Sequence, residues 1–450
     1  MKMIFLLPAA LIVLTLPAGL PAAGASSSKY TWEMAKATLK PYDGTSVKGV
    51  DVSTLNRKVV AGYQGWFATP NDGGPLGWVH YQFGAREPLP NKICIDFWPD
   101  VTELDQDERC ETKLVHEDGS PACVFSSRNP KTVNRHFQWM RKYGIDAAFV
   151  QRFANSVSSS PDRFENSCRV LFNCRAGANR NGVGYIVMYD LSGLPASSME
   201  KVKDDWRMLV DGMQITRDPH DKAYMHHRGK PLVAVWGIGF KPSSKKDRAY
   251  SLAECADLVK FLQQDPKYGG CSVMIGIPTG WRTGSRDAVN DPALHELIKR
   301  CEVISPWTPG RYRNQEEVTR HAESCWQPDF EWCKTNGVDY LPVVFPGFSW
   351  HNKMPEAATD AIPRLKGKFL WQQYYEIAKI GIPMVYQAMF DEMDEGTQIF
   401  KITNNPPKGT PLVTYEGLPS DFYLRLAGNA AKMIRGETPA TPTLPTLPSN

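Results

Sequence analysis

Short runs of apolar, β-branched and aromatic residues recur along the chain, separated by stretches whose apolar positions return at three- and four-residue steps. Eight runs stand out, at 59–67, 147–153, 184–190, 232–240, 272–281, 303–307, 340–348 and 384–390. Near-continuous apolar runs of this length read as strands buried on both faces. The gaps carry helical patterns at 132–142, 199–213, 252–263, 292–301, 315–335 and 365–380. In 199–213, for example, Val202, Trp206, Leu209 and Val210 share one face. Eight buried strands alternating with amphipathic helices predict one (β/α)8 barrel over residues 57–436. An open doubly wound sheet is the competing fold, but no Gly-x-Gly-x-x-Gly turn follows the first strand. No repeat of solenoid period interrupts the alternation.

One gap breaks the rhythm. Residues 68–130 separate the first strand from the first helix, about 60 residues where a βα loop normally needs 2–6. In a barrel, such a loop stands on the face where substrates bind, so the insertion is expected to wall or cover the site. A decorative insert pinned by Cys94, Cys110 and Cys123 is the alternative.

The termini read differently from the body. Lys2, the apolar run 4–20 and the small residues Ala23-Gly24-Ala25 form a secretory signal over residues 1–25, with three prolines arguing against an uncleaved anchor. The expectation is an exported protein, secreted or periplasmic, with no membrane span after cleavage, because no later apolar run has spanning length. Residues 26–56 form a polar lead-in, and 437–450 a Pro/Thr-rich tail expected to be extended. Ten cysteines, all beyond the signal, fit disulfides in an exported chain. Cys168 with Cys174 and Cys325 with Cys333 are the nearest local pairs, though sequence leaves connectivity open. The absence of Cys-x-x-Cys and of zinc-ligand spacing argues against a metal site.

Composition narrows the partners. In 450 residues, 42% are hydrophobic and 22% charged, which excludes a disordered or fibrous chain. Lys+Arg at 52 against Asp+Glu at 48 gives a net charge of +4, without the concentrated basic surplus that nucleic acid requires. The chain carries 13 Trp, 17 Tyr and 19 Phe, rings that suit sugar faces as well as cores. A carbohydrate ligand and a monomeric chain are the expectation, with no cofactor.

The sharpest chemistry follows the eighth run: Met389-Phe390-Asp391-Glu392-Met393-Asp394-Glu395-Gly396-Thr397-Gln398-Ile399. Four carboxylates in five residues sit where barrel enzymes place catalytic groups. Crowded carboxylates raise one another's pKa, so Glu392 and Glu395 can divide into an acid and a base, the equipment of glycosidic cleavage. A solvated acidic loop is the bland alternative. A calcium loop fails, because Met393 and Ile402 fall where EF-hand ligands are needed.

The run from Phe390 to Ile399 resembles the Phe-Asn-Glu-Trp-His-Glu-Gly-Thr-Gln-Ile signature of glycoside hydrolase family 99, the endo-α-mannosidases, and of the broader family 71/99-like group. Arg364, Gly367 and Tyr374-Tyr375 resemble that family's approach to the last helix, and Tyr63-Gln64-Gly65-Trp66-Phe67 its first-strand aromatic motif. The resemblance implies a (β/α)8 barrel and retaining cleavage of an α-glycoside. It assigns Glu392 as the base that draws a proton from the sugar 2-hydroxyl, giving a 1,2-anhydro sugar, and Glu395 as the general acid/base. Asp391, Met393 and Asp394 depart from the signature, which bears on whether a mannoside is the substrate. Xylan- or arabinan-type substrates, known in the broader group, stay open.

Further candidates lie at other strand ends: Trp66, Tyr189, Asp190, Trp236, Trp281, Arg282, Trp307, Trp350 and His351. Rings there are expected to stack on sugars while Asp190, Arg282 and His351 bond hydroxyls. A glycan-binding barrel without turnover, and a hydrolase pairing Asp190 with Glu395 through a covalent glycosyl intermediate, remain as alternatives.

Overall fold

The computed structural model describes residues 28–242 and 248–447. The expected signal at 1–25 lies outside the described residues. In chain order the strands are β1 (Lys58–Tyr63), β2 (Cys110–Val115), β3 (Pro121–Val124), β4 (Ala147–Phe153), β5 (Gly184–Asp190), β6 (His226–His227), β7 (Lys230–Trp236), β8 (Ser272–Pro278), β9 (Val303–Trp307), β10 (Asp339–Tyr340), β11 (Val343–Val344) and β12 (Met384–Gln387). The sheet runs β10-β9-β8-β7-β5-β4-β1-β12-β11 with parallel pairing along that path, and β6 adds an antiparallel partner to β7. Because β10 and β11 are two pieces of one stretch, this path returns on itself and gives the eight strand positions of a (β/α)8 barrel. The break falls at Pro342, which has no N–H for the ladder, although its carbonyl still accepts from Tyr386 N at 2.9 Å.

Three expected strands, 147–153, 184–190 and 303–307, coincide with β4, β5 and β9. The other five end three to four residues sooner than expected, at Tyr63, Trp236, Pro278, Val344 and Gln387. The apolar residues beyond them remain buried in loops at the barrel mouth, so burial there outlasts the ladder. The expected helix 315–335 is interrupted by a π-turn at Ala322–Trp326. Pro328 supplies no N–H for the Ser324 carbonyl, which accepts instead from Arg282 Nη2 at 3.4 Å.

Two helices are absent from the sequence expectations, the first of them because polar residues interrupt its apolar face. Helix Pro161–Asn181 buries Glu165, Asn166, Asn173, Arg175 and Asn179 among its apolar residues. Their bonds make burial possible: Arg128 grips Glu165 through two nitrogens, and Arg175 donates to the carbonyls of Met213 and Lys40. Helix Phe422–Arg435 packs through small residues, and a Cβ on Gly428 would lie 1.8 Å from the Tyr143 carbonyl oxygen.

The terminal segments contribute more than expected. In the lead-in, Tyr30 N donates to Asp162 and Val47 N to the Asn179 carbonyl, while Ala35, Tyr42 and Leu55 are buried. The tail is tied down by Trp371 Nε1, which donates to the Thr441 carbonyl at 3.0 Å, and Leu444 and Leu447 pack against the core.

All ten cysteines are free thiols, which corrects the disulfide expectation. Cys168 and Cys174 lie six residues apart on one helix. At about 1.5 Å per residue that places them roughly 9 Å apart along the axis, beyond disulfide reach. Cys325 and Cys333, eight apart along the interrupted helix, fail for the same reason. The insertion is instead held by its core residues Ile93, Ile95, Phe97, Trp98 and Phe125. Hydrogen bonds join it to the late loops: Asp96 N donates to the Met393 carbonyl, and the Asp96 carboxylate accepts from Ser349 Oγ and from His351 N and Asn352 N.

Candidate active site

Beyond β12 the chain leaves the sheet and folds back on itself. Met389 N donates to Thr397 O at 2.8 Å and Ile399 N to Met389 O at 3.0 Å, closing 389–399 into a compact loop over the C-terminal end of β1 and β12. Arg364 cradles it from the side, donating through Nη2 to the Gly396 and Gln398 carbonyls while its guanidinium stacks on Phe97, Tyr415 and Tyr423. Phe390 N donates to the Gly62 carbonyl, and a Cβ at Gly62 would lie 2.3 Å from both Met389 and the Tyr386 hydroxyl. The glycine therefore lets the loop sit directly on the first strand.

Within this loop each acidic side chain has its own setting, and all four are buried. Asp391 accepts from the backbone N–H groups of Gln64 and Gly65 at 2.7 and 2.9 Å, locking the first strand's exit to the loop. Burial pushes its carboxyl up to about 7, against those donors. Glu392 accepts from Gln64 Nε2 on one oxygen and from Thr397 Oγ1 at 2.5 Å on the other. Asp394 faces Lys353 Nζ at 3.2 Å and His80 Nδ1 at 3.3 Å, and Glu395 faces the same ammonium at 3.4 Å.

Burial in a site of low polarisability raises Glu392 well above the ordinary carboxylate range, and the charges of Glu395 and Asp394 add to it. Burial raises Glu395 as well, with Lys353 opposing it and Asp394 reinforcing it. For Asp394, burial is outweighed by Lys353 and by the bond from His80, so its carboxyl lies below the usual range. Both glutamates therefore hold a proton more tightly than a free carboxyl does, beside an Asp394–Lys353 ion pair. Such a pair of glutamates can give a proton to one substrate oxygen and take a proton from another.

The remaining candidates divide. Trp66 is sandwiched between Phe153 (centroids 5.2 Å) and His80 (4.0 Å), and His80 reaches Asp394, so this stack flanks the carboxylates. Trp236 and Trp307 meet edge to face at 5.5 Å, and Trp307 continues to Tyr386 at 6.2 Å. Gly276 makes room for that layer, since a Cβ there would lie 2.3 Å from Trp236. Asp190 accepts from Ser192 N, and its charge bears on Glu395 and Tyr386. Trp350 is half-buried against Phe348.

Tyr189, Trp281, Arg282 and His351 turn elsewhere. Tyr189 precedes Asp190 on β5 and so points to the opposite face, donating to Asp205 of the helix layer at 2.6 Å. Trp281 Nε1 and Arg282 Nε both donate to Asp329, and Trp281 packs on Trp332 and His295. His351 donates through Nδ1 to the Ala357 carbonyl at 2.7 Å, while its backbone N–H serves Asp96. The expectation that Arg282 and His351 bond sugar hydroxyls is thus met by side chains already engaged with the protein.

Sequence reasoning missed Gln64, His80, Lys353 and Thr397 as members of the constellation. Thr397 lies within the motif and Gln64 beside Trp66, so both were within reach. His80 and Lys353 stand 314 and 41 residues from Asp394 in loops without a pattern of their own. Several buried polar atoms around the mouth have no hydrogen-bond partner within the described residues, among them Gln64 Oε1, Trp66 Nε1, Gln151 Oε1, Trp236 Nε1 and Asp394 Oδ1. Buried polar atoms normally find partners, so these atoms keep hydrogen-bonding capacity that the described residues do not use. Among the described residues no group of three or more His, Cys, Asp or Glu side chains could hold a metal ion, and no helix is long and apolar enough to cross a membrane.

No protein-family model matches the chain, and no curated protein matches it. Solved structures do. The GH99 endo-alpha-mannosidase from Bacteroides thetaiotaomicron superposes with a TM-score of 0.60 at 16% identity, over 85% of this chain and 99% of that one. The same enzyme in complex with bis-tris-propane gives 0.59 over the same shares. A glycoside hydrolase-like protein gives 0.50 at 13% identity, over 86% and 97%. The chain therefore has the (β/α)8 fold of the GH99 endo-alpha-mannosidase, matched over nearly the whole of that protein.

Proposed function

We propose that this chain is an exported glycoside hydrolase that cleaves an α-linked glycan with retention of configuration. The observation that carries the reading is the burial of Glu392 and Glu395, 1% and 5% exposed, in one loop at the C-terminal end of the barrel. Gln64 and Thr397 clamp the first, and Lys353 steadies the second. Fold likeness to the GH99 enzyme and the motif resemblance support the same roles.

Burial raises Glu392, but the bonds from Gln64 and Thr397 favour its ionised form, and in this reading it accepts the proton of the sugar 2-hydroxyl. The freed oxygen attacks the anomeric carbon as the glycosidic C–O bond breaks, and Glu395 gives its proton to the departing oxygen. The product of this half is a 1,2-anhydro sugar. In the second half Glu395 takes a proton from water as that water attacks the anomeric carbon, and Glu392 returns its proton to the 2-oxygen. Two inversions give net retention, and both glutamates end as they began. Trp66, Trp236 and the orphaned polar atoms of the mouth are the surfaces for the sugar rings and hydroxyls.

A panel of mannan, α-glucans and arabinoxylan fragments, with chromatography of products and NMR of the new anomeric centre, tests the reading. Retained configuration with no trapped glycosyl-enzyme is expected. Binding without product would leave a glycan-binding barrel instead.

A further inference from the structure

Lys353 lies on a turn after β11, its backbone N–H donating to the Trp350 carbonyl, and its ammonium is buried. Nζ reaches Asp394 Oδ2 at 3.2 Å and Glu395 Oε1 at 3.4 Å, bridging a carboxylate with no place in the proposed chemistry to one that is central to it. The titratable groups facing it are Asp394, Glu395 and Glu392 from the 389–399 loop and Cys94 from the insertion. His80, also from the insertion, meets Asp394 from another side, and Asp190 from β5 bears on Glu395. Among the described residues it is the ammonium that these acids face, and its charge bears on Glu392, Asp394 and Glu395.

We propose that Lys353 is a positioning residue whose ammonium keeps Asp394 ionised and sets the pH range over which Glu392 and Glu395 share a single proton. The inference rests on Glu392 and Glu395 being the acid–base pair. A cation favours the ionised form of each carboxyl it faces, so removing it moves their titrations to higher pH. At about 3.4 Å in a partly polar interior, Coulomb's law makes that a shift of more than about one pH unit. Asp394 sharpens the effect, since without Lys353 its own charge would stand unneutralised beside both glutamates.

Two measurements on Lys353→Met separate this inference from the reading beneath it. In the pH profile of kcat/KM, both limbs are expected to move alkaline by more than about one unit, and Lys353→Arg to return them to within about half a unit. Infrared difference titration of the buried carboxyl band, which needs no substrate, is expected to move in the same direction. If the wild type hydrolyses nothing but the band shifts, the hydrolase reading fails and the role of Lys353 stands. A folded Met variant whose band and limbs match the wild type would overturn it. Should the Met variant not fold, Lys353→Gln, which keeps a donor for Asp394 but loses the charge, decides by the same titration.

Discussion

Two buried polar clusters of the same barrel reach opposite ends in chemistry. Behind β4 and β5, Asp205 receives Arg152 through two nitrogens, at 2.5 and 2.6 Å, and the Tyr189 hydroxyl at 2.6 Å. One cation meets one anion, and both carboxylate oxygens are engaged. In the 389–399 loop, Asp391, Glu392, Asp394 and Glu395 are all buried, but the ammonium of Lys353 reaches only Asp394 and Glu395, and Asp394 Oδ1 and neighbouring Gln64 Oε1 are without partners. The first cluster pairs one cation with one anion, leaves Arg152 Nη1 without a partner, and ties a strand to its helix. The second crowds like charges around one ammonium, the arrangement that shifts carboxyl titrations at functional sites.

Substitutions in the two clusters should therefore separate activity from stability. Glu392→Gln and Glu395→Gln, which preserve volume, are expected to lower kcat by at least about a thousandfold, since each removes a proton acceptor or donor from the reaction, while leaving the thermal midpoint near wild type. Steady-state kinetics beside thermal unfolding checks both halves. Full activity in either variant sinks the assigned roles. Asp205→Ala should do the reverse, costing about 3–5 kcal/mol of stability by leaving Arg152 buried without its anion. Urea unfolding measures that loss, and turnover per folded molecule should change far less.

A third test uses pH. Asp391 is raised to about 7 in the folded chain, so the folded state holds its proton more tightly than the unfolded chain. Its favourable contribution is complete below about pH 4, the unfolded value, and is lost as pH rises through about 7, a change on the order of a few kcal/mol. Asp391→Asn should flatten that part of the stability profile between about pH 4 and 7, as read by urea titrations across the range. An unchanged slope would show that other groups dominate it. The smallest change in activity is expected from Arg282→Ala. Asp329, raised by burial to about 6 despite Arg282, loses its cation in this variant. Stability should fall by about 1–3 kcal/mol while kcat/KM stays within about twofold. A larger loss of kcat/KM would return Arg282 to the sugar site.

Much of the barrel was legible because its strands are buried on both faces and thus read as apolar runs; β4, β5 and β9 matched residue for residue. Helix Pro161–Asn181 was not, because its buried Glu165 and Arg175 look like surface residues until Arg128 and the carbonyls that satisfy them are in view. Of the site, the crowded carboxylates around Glu392 and Glu395 were legible as a cluster, and Trp66 as a ring at a strand end. Trp281 and Arg282 were placed at the right strand end but on the wrong partner, since Asp329 lies 47 residues from Arg282 in sequence.

The sequence by itself determined the alternation of strand and helix, the long first loop and the acidic run after the last strand, because each is a local pattern of burial or charge. Only the tertiary structure decided how those acids differ. Whether a carboxyl ionises depends on what stands within a few ångströms, and Lys353, His80 and Gln64 arrive there from three separate loops. Neighbours along the chain made a cluster of carboxylates; neighbours in space made one of them an ion-pair partner and raised the proton affinity of two others.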